Sequence, residues 1–495
     1  MSRLYRTLRF ILRQAVGLYF FDVRAAGQQA IPDQGPLIFA ANHPNSIMDT
    51  VLLGVHTERQ IRYMARSGLF KNPVVRVVFH RFGVIPIYRR SDGGDTKNNE
   101  DSFRKAYEAL EEGGCIGIFP EGRNSSERMI QKIKTGTARI ALCAEERNDF
   151  SLDVRIQPVG LNFEDRDRFL SSVLVRFGEP IDVSEYAGRY ESDPRGTVRQ
   201  LTKRIESDLK DLATHIDDER HHQLVRDIHD IYGRELSREF IGDLELGIDL
   251  YQRTRRQDRL ARDRSANAPS SELEDRFNLE QRIADAVAYY QRTDPGLVAR
   301  VRMDIRRYRD HLQQFRIRHE IVEDRFKISD RRREAIKMTA YAIFLGPLAV
   351  YGFLNNVVPS WIVHQVTRRQ SEEAKVAFAA FCTGLIAFPL FYFLQSWALW
   401  MATDHSVLVV AIYLLSLPMT GFFFLRWWRQ LLASRDRILS RTLFRTEQNL
   451  LVDLERERQT LVDTFDELKQ RYLEARHPQR VNAVQERIPE TTSPQ

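Results

Sequence analysis

Cysteine is scarce in this chain: Cys115, Cys143 and Cys382 are the only three in 495 residues. Their spacing fits neither a pairing framework nor a metal-ligand motif, which argues against a disulfide scaffold and structural zinc and leads us to expect free thiols in a reducing compartment. Excess charge of one sign is also missing, since 74 basic residues face 67 acidic ones for a net +7. No nucleic-acid motif accompanies that small surplus, so no nucleic-acid partner is expected. Residues 1–21 lack a small-residue cleavage site, and Arg3, Arg6, Arg9 and Arg13 interrupt their apolar run, so they do not read as a removable leader. Charge is absent altogether from residues 376–401 and 406–425. Each is long enough to cross a bilayer, and together they read as a transmembrane hairpin around Asp404-His405.

What is present falls into blocks. Leu4, Leu8, Ile11, Leu12, Ala15 and Tyr19 recur at helical spacing beside the arginines, so residues 1–30 are expected to hold an amphipathic helix. It lies either on an anionic membrane surface or on its own domain. From 31 to 190, short apolar runs alternate with helical patterns, which predicts an α/β domain. The expected strands are Leu37–Ala41, Ile61–Ala65, Val84–Tyr88, Cys115–Phe119, Val154–Leu161 and Val173–Phe177, with helices over 47–56, 97–112 and 135–147. Residues 191–335 turn to charge-dense helices, ending in a seam of Val298, Val301, Ile305, Tyr308, Leu312 and Phe315. A membrane region follows over 336–430, then a long cytosolic helix over 431–476 and a disordered tail over 477–495. The last helix carries a second seam, Leu451, Leu454, Leu461, Phe465, Leu468 and Tyr472, and the two seams are expected to pair. Self-association through the helical region is a further expectation.

Within the membrane region, Asn355-Asn356 and Pro359-Ser360 interrupt the apolar run of 338–363. Arginines flank it on both sides, at Arg331–Arg333 and Arg368-Arg369, whereas the Asp404-His405 turn has no basic residue. An even number of crossings satisfies this charge pattern, so 338–363 is expected to be re-entrant or interfacial, with the α/β domain on the cytoplasmic side. That side belongs to the inner membrane in a bacterium or the endoplasmic reticulum in a eukaryote.

Chemistry concentrates between 42 and 160. His43 follows an expected strand and Asp49 opens an expected helix, so a tight turn brings an imidazole to a carboxylate that fixes its tautomer. Such a pair deprotonates a hydroxyl for attack on an activated carbonyl. Alternatively, Ser46 and Asp49 simply cap the helix. Asn42 and Asn45 are candidate oxyanion or acceptor contacts beside His43. In Gly83–Arg90 a strand runs into Arg89-Arg90, a fork suited to phosphate oxygens. In Phe119-Pro120-Glu121-Gly122, Glu121 is a candidate for glycerol hydroxyls, and Gly122 allows close backbone approach. Lys134-Thr135-Gly136 opens a helix whose start favours an anion. Gln157-Pro158-Val159-Gly160 has no titratable group and reads as structural.

The order of these elements, a His…Asp pair, Gly-x-Ile-x-x-x-Arg, Phe-Pro-Glu-Gly and a late Pro-Val, resembles the PlsC-type glycerolipid acyltransferases. The resemblance runs to Phe177-Gly178-Glu179-Pro180-Ile181. It implies a mixed-sheet α/β domain that esterifies a glycerol phosphate from an acyl thioester of coenzyme A or acyl carrier protein, with no other cofactor and no metal. It also implies His43 and Asp49 for catalysis, Arg89, Glu121 and Gly122 for acceptor binding, and Lys134 as a further phosphate contact. Five residues, Pro44 to Met48, separate His43 from Asp49 where the common form has four. That spacing is similar to the fungal-type glycerol-3-phosphate and dihydroxyacetone-phosphate acyltransferases, which carry membrane segments after the catalytic domain. Arg123 directly follows Gly122, where the family usually has a small residue first. Acylation of lysophosphatidate or another lysolipid is the alternative within this chemistry. A membrane scaffold built on the same fold is the alternative outside it.

Overall fold

The computed structural model describes residues 3–71, 73–88, 99–124, 128–166, 168–216, 221–243, 272–314, 331–370, 373–403, 405–446 and 448–476. The described chain forms two compact units: Met1–His215 with Ser271–Phe277 and Val358–Phe393, and the remainder.

The first unit is built on an eight-stranded mixed sheet in the order β1-β7-β6-β2-β5-β3-β4, with β8 pairing to β6. The strands are β1 (Asp22–Ala26), β2 (Leu37–Ala41), β3 (Ile61–Arg66), β4 (Ile85–Ile87), β5 (Cys115–Ile118), β6 (Arg155–Phe163), β7 (Ser172–Phe177) and β8 (Ile181–Asp182). All six expected strands form. Two more appear that the apolar pattern does not signal. The segment Asp-Val-Arg-Ala-Ala of β1 has little alternation and becomes a strand by pairing parallel to β7, although it falls within the stretch 1–30 expected to serve the membrane surface.

Central β2 is buried at every position, as a strand covered on both faces must be. Its alternation divides the core. Ile38 and Ala40 face a cluster with Ile116, Ile156 and helices α4 (Asn99–Glu111), α5 (Gly136–Glu146) and α7 (Pro194–Leu212). Leu37, Phe39 and Ala41 face the opposite cluster, formed with α1 (Arg3–Tyr19) and α2 (Ile47–Val55). Two short helices, α3 (Pro73–Arg81) and α6 (Ala187–Ser192), complete this part. Helix α7 was expected to belong to the charged region beginning at 191. It packs on the sheet instead, because Leu201, Ile205 and Leu209 form an apolar stripe along one side of it. Gly160 makes that contact close: a Cβ there would overlap the carbonyl of Leu212.

Helix α1 divides its apolar residues between two sides. Val16 and Tyr19 are buried in the core, while Leu4, Phe10, Ile11 and Leu18 stay exposed among the arginines. The domain thus takes one stripe and leaves another.

In the second unit, α8 (His222–Asp243), α9 (Glu272–Thr293), α10 (Pro295–Gln314) and α14 (Gln448–Arg476) share one apolar cluster. Seam residues Val298, Val301, Ile305, Tyr308 and Leu312 meet Leu454, Leu461 and Phe465 there. His311 Nδ1 adds a 3.0 Å contact to Glu457. The seams therefore pair, but within a four-helix cluster rather than as a two-helix stalk, because each of the four offers its own apolar stripe. The helix expected over 431–476 is divided: α13 (Val407–Thr446) continues out of the apolar segment, and α14 is separate.

Three helices hold stretches long and apolar enough to cross a membrane: Ile343–Arg368 in α11 (Arg331–Arg368), Ala379–Ala402 in α12 (Glu373–Ala402) and Val407–Trp428 in α13. The break expected at Asn355-Asn356 and Pro359 is absent, since α11 runs through unbroken. Proline at 359 removes the donor that the Asn355 carbonyl would use, and Gln395 Nε2 replaces it at 3.1 Å. Tyr413 donates to Asn355 Oδ1 at 2.8 Å, and Asn356 Nδ2 donates to the carbonyls of Gly352 and Leu417 at 2.8 and 3.2 Å. Neighbouring helices thus satisfy the polar groups that marked a break in the sequence. The tail 477–495, expected to be disordered, lies outside the described residues, as does Asp404.

Candidate active site

The site sits where β2 and β5 end. The two strands are parallel neighbours with Ala40 opposite Ile118, and three further steps along that register bring His43 opposite Glu121. The His43 N–H donates to Glu121 Oε1 at 2.9 Å, and the Gln131 N–H donates to Oε2 at 3.0 Å. Glu121 is 4% exposed and ties the His43 turn to the segment before α5. Burial pushes its carboxyl above the ordinary range, against the pull of these backbone donors. Both carboxylate oxygens of Glu121, the residue expected to bind the acceptor, are thus engaged by backbone donors, a bracing role that the sequence does not announce.

His43 Nδ1 lies 2.8 Å from Asp49 Oδ2, with the imidazole 17% exposed and the carboxylate fully buried. Asn45 N–H donates to the same Oδ2 at 2.8 Å. Burial raises the Asp49 carboxyl above its ordinary range, and the hydrogen bond and charge of His43 pull it back. Within the five-residue spacing Ser46, a non-glycine residue, takes φ 52°, and its side chain makes no cap bond. Asp49 thus reaches both the imidazole and the Asn45 N–H at the entry to the helix. The ring of Phe119 stacks on His43 at 4.0 Å and 15°. With one face covered and Nδ1 committed, Nε2 is the atom left to accept a proton.

The other expected residues separate into groups. Gly122 takes φ 72°, and a Cβ there would collide with Lys134 Nζ, so the exposed lysine lies directly over this turn. Arg123 donates to Gln131 Oε1 at 2.9 Å. Asn42 and Asn45, expected as oxyanion contacts, have their side chains engaged elsewhere: Asn42 exchanges hydrogen bonds with the backbone of Leu161 at 3.1 and 2.6 Å, and Asn45 Nδ2 donates to Arg166 O at 2.8 Å. The cause is again register, because β6 runs parallel to β2 with Ala41 opposite Val159. Gln157-Pro158-Val159-Gly160 lies buried within β6, as structural residues do. Arg89 and Arg90 lie outside the described residues. Among the described residues, no group of three or more His, Cys, Asp or Glu side chains is placed to hold a metal ion, and the three cysteines are free thiols.

An imidazole oriented by a buried carboxylate, at the carboxyl ends of parallel strands, defines a site for general-base activation of a hydroxyl or water. Comparison with known proteins points the same way: residues 22–162 match the family model described as Acyltransferase. Glycerol-3-phosphate O-acyltransferase 2 of Saccharomyces cerevisiae is 36% identical over 23% of this chain and 15% of its own length. Glycerol-3-phosphate O-acyltransferase 1 of the same yeast is 22% identical over 47% of this chain and 42% of its own. A 1-acyl-sn-glycerol-3-phosphate acyltransferase of Borreliella burgdorferi is 26% identical over 40% of this chain and 80% of that protein. The chain thus spans less than half the length of either yeast relative. Among solved structures, the 1-acyl-sn-glycerophosphate acyltransferase PlsC of Thermotoga maritima aligns with 22% identity and a TM-score of 0.32, covering 41% of this chain and 78% of that one.

Proposed function

We propose that this protein is a membrane-bound O-acyltransferase that moves a fatty acyl group from an acyl thioester to the sn-1 hydroxyl of glycerol 3-phosphate or dihydroxyacetone phosphate. The 2.8 Å pairing of His43 with buried Asp49 carries this reading. His43 Nε2 takes the hydroxyl proton as the oxygen attacks the thioester carbonyl, and Asp49 stabilises the imidazolium that forms. The tetrahedral intermediate expels the thiolate, which recovers the proton from His43. The ester and a free thiol result, with no acyl-enzyme. The acceptor phosphate is assigned to Lys134 and to Arg89, and Gly122 leaves the room in which the Lys134 side chain crosses the turn.

Two of the three apolar helices are proposed to cross the membrane. The seam residues of α10 and α14 pack together, so the chain leaves and returns on one side, which an odd number of crossings forbids. Charge assigns α11 no crossing, because arginines flank both its ends. By contrast, its contacts with Tyr413 and Leu417, midway along the apolar stretch of α13, set its centre at the depth of that helix. Labelling at position 370 distinguishes the two arrangements.

A lysophosphatidate acceptor is the second reading, favoured by the likeness to a bacterial relative named for that substrate over 80% of its length. The purified full chain, offered acyl-coenzyme A and acyl carrier protein thioesters against glycerol 3-phosphate, dihydroxyacetone phosphate and lysophosphatidate, tests both. Product from lysophosphatidate alone replaces the first reading with the second. No product from any combination favours a scaffold.

A further inference from the structure

Arg166 lies on the segment that follows β6, outside every motif described above. It meets the catalytic turn at two points: its carbonyl accepts Asn45 Nδ2 at 2.8 Å, and its Nη1 donates to Pro44 O at 3.3 Å. Pro44 and Asn45 are the two residues directly after His43, and Asn45 N–H holds Asp49. Both Asn45 and Asp49 are completely buried. We propose that Arg166 is a positioning residue for the His43–Asp49 pair, whose guanidinium clasps the turn that carries both residues and sets a positive charge beside them. This rests on the assignment of His43 as the base.

The need for such a cation follows from the charges that face Asp49. His43 comes from its own turn, Arg166 from the segment after β6, and Glu121 from the turn after β5. Glu121 is a second buried carboxylate, and its charge and that of Asp49 disfavour each other. Asp49 Oδ1 takes no hydrogen bond among the described residues. Arg166 adds positive charge on the Pro44-Asn45 side of the pair, and Lys134 stands over the neighbouring Glu121-Gly122 turn. The Arg166 charge acts on Asp49 in the direction that opposes burial.

The sign of the effect is fixed. Protonating His43 takes the cluster from a more negative state to a less negative one, and a nearby cation disfavours that change. Removing the charge therefore moves the acid limb of the activity profile to higher pH. Arg166→Gln keeps a donor for Pro44 O without the charge, and Arg166→Lys keeps the charge. In Arg166→Gln the acid limb of kcat/KM is expected to rise by roughly half to one pH unit, with a plateau within about threefold of wild type. In Arg166→Lys the limb returns toward wild type.

A second measurement does not depend on the substrate. Diethyl pyrocarbonate modifies neutral imidazole, and peptide-resolved mass spectrometry of the intact protein gives the rate at His43 against pH. The same upward displacement is expected in Arg166→Gln, while the melting temperature stays near wild type. Coincident His43 profiles in wild type and Arg166→Gln overturn the proposal. So does a pH-independent loss with a raised acceptor KM, which makes Arg166 a substrate ligand. If wild type turns over no acceptor while the His43 profiles still separate, the functional reading fails and the positioning role stands.

Discussion

Oδ2 of Asp49 stands 2.8 Å from Nδ1 of His43 and accepts the Asn45 N–H at the same distance. One oxygen therefore fixes both the imidazole and the backbone of the turn that carries it. Between the two residues Ser46 takes a backbone conformation that side-chain-bearing residues seldom adopt.

Replacing His43 with Ala is expected to abolish acyl transfer while leaving the melting temperature near wild type, since the ring is partly exposed and its loss leaves Asp49 the Asn45 donor. Asp49→Asn can place its carbonyl where Oδ2 lies and keep both hydrogen bonds, but it lacks the charge that stabilises imidazolium. A loss on the order of 10⁴-fold in kcat is expected, with KM little changed. Steady-state kinetics on both variants check this, and near-normal turnover in Asp49→Asn refutes the pairing as a catalytic device.

Gly122→Ala places a Cβ at φ 72° against Lys134 Nζ. The lysine end can swing aside, but the backbone conformation cannot be relieved as easily. A stability loss of about 1–2 kcal/mol is expected. Denaturant unfolding measures it, and displacement of Lys134 is expected to raise the acceptor KM as well.

Glu121 gives a pH-dependent prediction. Burial raises its carboxyl above the ordinary 4.5, so the folded protein holds this proton more tightly than the unfolded chain does. Its contribution to stability is fully present below that ordinary value and is lost as pH rises through the elevated one. Glu121→Gln removes this dependence. The melting temperature of the variant minus that of wild type should therefore increase from pH 4 toward neutrality, on top of a constant loss from the damaged backbone clasp. Scanning calorimetry across that range shows the trend, and a flat difference contradicts it.

The membrane arrangement is tested at Gln370, between α11 and α12. With α12 and α13 as the two crossings, a cysteine introduced there lies on the same side as the cluster of α10 and α14. In intact cells it is expected to resist an impermeant maleimide applied outside and to react after permeabilisation. Labelling from outside requires a different set of crossing helices.

The sequence by itself determined the local elements and the chemistry placed on them. Alternation marked six strands, periodicity marked the helices between them, and the order of His43, Asp49, Glu121 and Gly122 pointed to the acyltransferase domain. The strand, helix and motif signals survive because each is carried by residues within a few positions of one another, even though the order of the motifs runs across the domain. Tertiary structure decided the rest. Parallel pairing of β2 with β5 and β6 set Glu121 under the His43 turn, bound the Asn42 side chain to Leu161, and brought Arg166 to Pro44 and Asn45. These partners lie 78 to 122 residues apart, and no local pattern encodes such a register. The same holds for α11, where Asn355 and Pro359 read as a break until Gln395 and Tyr413 supply the missing hydrogen bonds. A polar group's fate depends on which distant partner reaches it, and only the assembled chain brings that partner within 3 Å or so.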